Sequence, residues 1–305
     1  MEETCSLFKK DEFVSLISGF EHIVRENESL SRFTRLNVGG VAEFYAEPTS
    51  IEELIALVKR FSEHDLPIRM LGNGSNLLVR GTGVAGLVVQ LCAPAFCTIE
   101  IENNCLTAGG GTQISHFVAA AVRAGLSGPE QLVGIPGTIG GALHNNTGAH
   151  GIDIGTWVQS VELLTRAGIR STRDKHSLSF SYRQSSITEL VILSARFQFE
   201  SEDPALLTRQ MQKQWIVRRA TQPPSEENST YIFKDHGGET AAELIDRAGL
   251  KGTRVGKVEI SDKNSNFFVA HPGATSDEVI QLMELVRTQV GDRLQVQLEN
   301  AICIW

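Results

Sequence analysis

Apolar residues recur at intervals of three and four along some stretches of this chain and alternate along others, and the change of period marks its elements. Residues 1–31 carry apolar positions at helical spacing and predict a helical lead-in. From Arg35 the pattern changes, with a turn expected at Gly39-Gly40 and a strand over residues 41–46. Ser50 followed by Glu53 has the form of a helix-opening capping box, and Ile51, Leu54, Ile55, Leu57 and Val58 supply the apolar stripe behind it. The run IRMLGNGSNLLV predicts strand, glycine-rich turn and strand. GLVVQL and CLTAGGG predict further strands, and ISHFVAAAVRAGLSG a helix stopped by glycine after Ala124.

In the second half, VQSVELLT and IRSTRDK predict a hairpin around Ala167-Gly168, and LVILSARFQFE a long strand. LLTRQMQKQWIVRRA predicts a helix ending in TQPPSEENS, a polar, proline-containing segment with the character of a linker. AAELIDRAGL and SDEVIQLMELVRTQVG predict helices, VEISDKNSNFFVA one or two strands, and LQVQLENAICIW a last strand. Short strands alternate with helices, so the expected fold class is α+β in two parts. With 305 residues the chain has room for more than one domain of roughly 100–200 residues.

Charge narrows the partners. The net charge is -8 and no run of Lys or Arg interrupts it, which argues against nucleic acid, whose phosphates need a basic stripe. A phosphorylated small ligand needs only a few local donors. No apolar run approaches the roughly 20 residues that span a bilayer, and the acidic start does not have the form of a signal peptide. The five cysteines (Cys5, Cys92, Cys97, Cys105, Cys303) are odd in number and show no CxxC spacing, as expected of reduced thiols in a cytoplasmic protein. The eight histidines show no metal-ligand spacing, and no metal is expected; His144 and His150 flank Asn145-Asn146 in a loop.

Two glycine-rich segments carry the strongest chemical signal: GNGSNL over residues 72–77 and GIPGTIGGALHNNTGAHG over residues 134–151. Glycine leaves no Cβ between the main chain and an approaching group, and successive N–H groups in such turns converge on anions. Asn76, Asn145 and Asn146 add side-chain donors and acceptors. The spacing is neither GxGxxG nor GxxxxGK[ST], which excludes the Rossmann fingerprint and the P-loop. Tight turns alone would explain either segment; two in one chain favour a dinucleotide held by main chain. Ser75 lies in GNGSN, which is not the GxSxG of a nucleophile elbow.

With TRLNVGG, LGNGSNLLV, GLSGPEQLVGIPGTIGGAL, NTGAHG, SYRQS, AGLKG and SDKNSNFFV, the chain from about Thr34 to its end resembles the UDP-N-acetylenolpyruvoylglucosamine reductases of bacterial cell-wall synthesis. The resemblance implies a lead-in over 1–33, an FAD-binding domain of the vanillyl-alcohol-oxidase (PCMH) type over 34–199 and an α+β substrate-binding domain over 200–305. It implies that FAD is wrapped by Gly72, Asn73, Gly74, Ser75, Asn76 and Leu77 from the first segment. From the second come Gly134, Ile135, Pro136, Gly137, Thr138, Gly140, Gly141, Asn146 and Gly148. NADPH would reduce the flavin, and the hydride would then pass to the enolpyruvyl group of a UDP-sugar, giving the lactyl ether. The family binds FAD without a covalent bond, although relatives of this fold attach it through histidine. The short gap between Arg183 and QPP resembles the class without an extra substrate-covering loop.

Hydride addition next to a carboxylate builds an enolate, which asks for a cation and then a proton. The resemblance gives the cation's role to Arg183 of SYRQS, with Tyr182 beside it on the substrate side. It places Tyr231 where the family has its proton-donating serine, with Thr230 and Ser229 as alternative donors. The family's second acid falls on Ala301. Glu299, two residues earlier and about 7 Å along a strand at roughly 3.4 Å per residue, is the nearest carboxylate. Lys263 and Asn266 are implied as substrate contacts, while the histidine of the family's segment is replaced by Asn264 or Ser265. The flavin half therefore matches well and the proton-delivery half poorly. Three readings remain open: the NADPH-dependent reductase, a flavin-binding paralogue with altered or lost activity, and a non-catalytic flavin or UDP-sugar binding module.

Overall fold

The computed structural model describes residues 16–149, 151–224 and 228–305. Cys5, His150 and the middle of the expected linker lie outside them. Three sheets divide the chain. The first is built from β1 (Val24–Ser29), β2 (Val41–Ala46), β3 (Ile68–Leu71) and β4 (Val84–Gln90) in the order β1-β2-β4-β3, with only β1 antiparallel. Helix α1 (Ile51–Glu63) lays Leu54, Leu57, Val58 and Phe61 against it, each wholly buried and contributing about 1.5–3 kcal/mol. Ser50 caps α1 by accepting from the Glu53 N–H at 3.2 Å, but the Glu53 carboxylate turns back to Thr49.

The helical lead-in is corrected here. Among the described part of the lead-in, residues 16–33, Leu16 and Ile17 are helical and Ser31–Phe33 forms a 3-10 turn, while Val24–Ser29 is an edge strand paired with β2 from Val24↔Ala46 to Ser29↔Val41. Helical spacing in so short a segment is overruled by the main-chain partners that β2 offers.

The second sheet is antiparallel throughout. Its strands are β5 (Ile99–Glu102), β6 (Cys105–Gly109), β7 (Val158–Leu164), β8 (Arg170–Asp174) and β9 (Val191–Gln198), in the order β8-β7-β9-β6-β5. The β7–β8 turn is the expected hairpin. Between Glu162↔Ser194 and Leu163↔Ile192 the register slips, leaving Leu193 as an extra residue. That bulge lets Val191 and Leu193 join the core under α1, while Ile192, Ala195 and Phe197 face the core of α2 (Ile114–Arg123) and α3 (Ile139–His144). Helix α4 (Pro204–Thr221) follows, capped by Asp203.

A third sheet, β10 (Ser229–Tyr231), β11 (Arg254–Val255), β12 (Val258–Ile260) and β13 (Phe267–Ala270), runs in the order β10-β13-β12-β11. It is covered by α5 (Ala241–Arg247) and α6 (Ser276–Leu294), both opened by complete capping boxes, Thr240 with Glu243 and Thr275 with Glu278. Its core takes in Leu36, Val38 and Leu78 from the first part of the chain, so the parts share a core. The expected last strand is shorter than its pattern. Only Cys303–Ile304 is strand, parallel to Leu77–Leu78, and the residues before it touch the third sheet through an isolated bridge from Asn300 to Phe233. The strand spacing expected between Glu299 and Ala301 therefore does not apply.

Candidate active site

The two glycine segments meet. Ser75 Oγ donates to the Pro136 carbonyl at 3.0 Å, and a Cβ on Gly72 would sit 2.8 Å from Thr138 Oγ1. Thr138 caps α3 by accepting from the Gly141 N–H at 3.3 Å, and Gln90 Nε2 holds the Gly72 carbonyl at 2.7 Å. Asn73, Gly134, Pro136 and Gly141 are exposed, so main chain without bulky side chains lies open along the junction. A Cβ on Gly141 would meet nothing closer than Thr138 Oγ1 at 3.5 Å. Bare, solvent-facing main chain of this kind fits the diphosphate of FAD.

Two of the expected flavin-contacting asparagines tie the fold together. Asn76 Nδ2 donates to the Ala301 carbonyl at 2.9 Å, and the Asn76 carbonyl accepts from the Cys303 N–H at 3.0 Å. Asn146, 1% exposed, spends both ends of its amide: Nδ2 on the Ser181 carbonyl at 2.8 Å and Oδ1 on the Gly155 N–H at 3.1 Å. It thereby ties the loop after α3 to the hairpin Phe180–Ser185.

That hairpin presents Tyr182 and Arg183 at its turn. Arg183 adopts a left-handed backbone, φ 57°, uncommon for a side chain with a Cβ. Its guanidinium carbon lies 5.7 Å from the Tyr182 ring centre and 5.6 Å from that of Tyr231, within cation–π range of both. Its Nε is buried with no hydrogen-bond partner among the described residues. Arg218 of α4, which no motif singled out, packs its Cδ against Gly134, and burial with the neighbouring Arg183 charge pulls its pKa down. Two cations side by side suit an anionic ligand.

Tyr231 ends β10 opposite Phe267, whose ring meets it edge-on at 5.8 Å. Its hydroxyl donates to Asp235 Oδ1 at 3.0 Å, and burial first, then the Asp235 charge, pushes its pKa far up. Thr230 points the other way and donates to the Ser75 carbonyl at 2.8 Å, while Ser229 is buried. Tyr182 Oη donates to Asp235 Oδ2 at 3.1 Å, which makes Asp235 the hub of both phenols. A cleft of about 260 Å³ opens here, lined by Tyr182, Gln184, Lys234, Asp235, His236 and Glu299. Glu299 is exposed and pairs with Lys234 at 3.1 Å.

Two expected substrate contacts are corrected. Asn266, 1% exposed, brackets the Phe233 main chain with both amide ends, at 2.9 and 2.8 Å. Lys263 is exposed on the turn between β12 and β13, outside the cleft, and Lys234 supplies the cleft's ammonium. Lys234 and Asp235 directly follow Tyr231-Ile232-Phe233, and charged residues at the close of a short strand were the available signal. Among the described residues no group of His, Cys, Asp and Glu is placed to hold a metal, and no helix is long and apolar enough to cross a membrane.

This division into a glycine-lined cradle and a third-sheet cleft coincides with two family matches. Residues 42–172 match an FAD binding domain, and residues 222–305 match the UDP-N-acetylenolpyruvoylglucosamine reductase C-terminal domain. A glucose dehydrogenase, Phl p 4.0202, superposes with TM-score 0.51 at 12% identity, covering 95% of this chain and 60% of that one, a likeness of fold alone. The crystal structure of the UDP-N-acetylenolpyruvylglucosamine reductase from Thermus caldophilus superposes with TM-score 0.79 at 32% identity, covering 92% of this chain and 99% of that one. The UDP-N-acetylenolpyruvoylglucosamine reductase of Rhodopirellula baltica is 40% identical over 284 residues, 93% of each chain. A chain that carries both domains and aligns with such relatives along nearly its whole length belongs to the UDP-N-acetylenolpyruvoylglucosamine reductase family.

Proposed function

We propose that this chain reduces the enolpyruvyl ether of UDP-N-acetylglucosamine to the lactyl ether of UDP-N-acetylmuramate in the cytoplasm, with NADPH as the reductant. Residues 34–199, joined by β1, form the flavin unit in this reading, and residues 200–305 the substrate unit. When bound, FAD supplies hydride chemistry, taking two electrons from the nicotinamide and giving them to the alkene. The glycine segments hold its diphosphate by main chain.

The observation that carries the reading is the buried Nε of Arg183, without a hydrogen-bond partner among the described residues, beside two tyrosine rings. Hydride addition turns the acrylate-like alkene into an enolate, and a guanidinium with an unspent donor stabilises that charge as it forms. Arg218 adds positive field from the Gly134 side, and Lys234 offers a point charge to the substrate's anionic groups. Tyr231 delivers the proton to the carbon beside the carboxylate.

Anaerobic stopped-flow tests this. Flavin bleached by NADPH regains its absorbance when mixed with the enolpyruvyl sugar, at a rate that rises with sugar concentration. Flavin that stays reduced until oxygen enters would refute the reading. That outcome would favour a paralogue with altered activity, a reading supported by Ala301, which offers only a methyl group where the family has an acid.

A further inference from the structure

We propose that Asp235 is a positioning residue for proton delivery: its carboxylate gathers the hydroxyls of Tyr182 and Tyr231 and holds the Tyr231 phenol, protonated, beside Arg183. This rests on the reading above, in which Tyr231 supplies the proton.

Four hydrogen bonds converge on this residue. Oδ1 accepts from Tyr231 Oη at 3.0 Å and from the Ala241 N–H at 2.9 Å. Oδ2 accepts from Tyr182 Oη at 3.1 Å, and the Asp235 N–H donates back to the same oxygen at 3.1 Å. The carboxylate is thus fixed by main chain at the start of α5 and joins the Arg183 hairpin to the end of β10. A long phenol needs such a fixture, because its hydroxyl lies several ångströms further from the backbone than a serine's would. Phe267 fixes the ring from its edge and Arg183 lies over its face.

The chemistry follows from the charges. A carboxylate at hydrogen-bond distance disfavours the phenolate, so Tyr231 keeps its proton further into the alkaline range than a free phenol does. In the transfer, the Tyr231 hydroxyl turns its proton from Asp235 Oδ1 to the substrate, and its O–H bond breaks as the C–H bond beside the substrate carboxylate forms. The phenolate left behind faces the Arg183 cation and regains a proton from solvent through the open cleft, where Asp235 itself is exposed. The other groups facing this phenol are Tyr182 and Arg183 from the hairpin; Arg218 stands behind Arg183, and Lys234, His236 and Glu299 line the cleft.

The chain has three tyrosines, so the Cζ carbons of ¹³C-labelled tyrosine give three NMR signals in the FAD-loaded protein, assigned by Tyr→Phe variants. Asp235→Asn keeps the shape and removes the charge. The expected result is a Tyr231 ionisation midpoint lowered by one pH unit or more, toward the ordinary phenol value of about 10. The alkaline limb of the substrate-driven flavin reoxidation rate should move down with it. Asp235→Glu, which keeps the charge, should hold the midpoint near wild type. On a Tyr231→Phe background, Asp235→Asn should change the reoxidation rate less than about twofold. An unmoved midpoint in Asp235→Asn, or a uniform loss of rate with no change in the pH profile, would overturn the role. So would a glutamate variant that behaves like the asparagine variant. A wild-type protein whose reduced flavin ignores the enolpyruvyl sugar overturns the proposed function and this role with it. An active wild type with an unmoved midpoint overturns this role alone.

Discussion

The side-chain amide of Asn76 donates to the main-chain carbonyl of Ala301 at 2.9 Å, across 225 residues of chain. One of the two glycine-rich loops is thus held by the segment that carries Ala301. Cys303 pairs with the same loop, and Thr230 donates to the Ser75 carbonyl from β10. That loop is therefore shaped partly by the C-terminal domain. Asn76→Ala removes one such tie, and a hydrogen bond of this kind is worth about 1 kcal/mol net. FAD affinity, read by recovery of flavin fluorescence on dilution, should fall about fivefold. Asn76→Asp should fall further, because its carboxylate faces a carbonyl oxygen.

Arg183 carries the largest expected effect on chemistry. Losing one preorganised stabiliser of developing negative charge typically costs about 10²–10³ in rate. In Arg183→Ala the reoxidation of reduced flavin by the enolpyruvyl sugar should slow by that order, while reduction by NADPH slows far less. Arg183→Lys should recover little, since an ammonium restores the charge but not the planar donor set. Equal loss in both half-reactions would mean that the arginine serves binding or folding.

The glycine segments stood out because their signal is local: main chain without side chains marks a tight turn wherever it folds, and the structure brings the two together at Ser75 and Pro136. Helices α1, α5 and α6 were legible for the same reason, from apolar positions a few residues apart and, for α1, from Ser50 as its cap. Asp235 was not, since its link to Tyr182 spans 53 residues and exists only once the hairpin and the third sheet are brought together. The structural ties of Asn146 and Asn266 were not legible, because a polar side chain in a short motif has no mark that distinguishes holding a ligand from holding the backbone. Their burial, 1% exposed each, is a property of the packed chain. The lead-in failed because β1 needs β2 as a partner, and pairing is invisible to a helical count.

Gly74 supplies a sharper test of the cradle. Its φ is +57°, and a Cβ there would stand 1.8 Å from the Phe33 carbonyl oxygen. A left-handed conformation alone costs a side chain about 1–2 kcal/mol, and here the backbone must also move. Gly74→Ala should lower the unfolding midpoint by several degrees and yield protein depleted in flavin. Gly19, with φ +85° and nothing within 4 Å of its Cβ position, separates the two costs. Gly19→Ala should lose only the conformational part and keep its yellow colour.

Tyr231 decides whether proton delivery has been rebuilt around a phenol. Tyr231→Phe keeps the ring against Phe267 and under Arg183 but removes the hydroxyl, and loss of a general acid costs about 10²–10⁴ in rate. Flavin reoxidation by the sugar should fall into that range with its reduction by NADPH little changed. Tyr231→Ser restores a hydroxyl on a short side chain, yet its oxygen would end well short of the place where Tyr231 Oη meets Asp235. The serine variant should therefore be as slow as the phenylalanine variant. A serine variant near wild-type speed would show that the site still accommodates the short donor. Unimpaired phenylalanine and serine variants together would assign the proton to water, because Thr230 is turned toward Ser75 and Ser229 is buried.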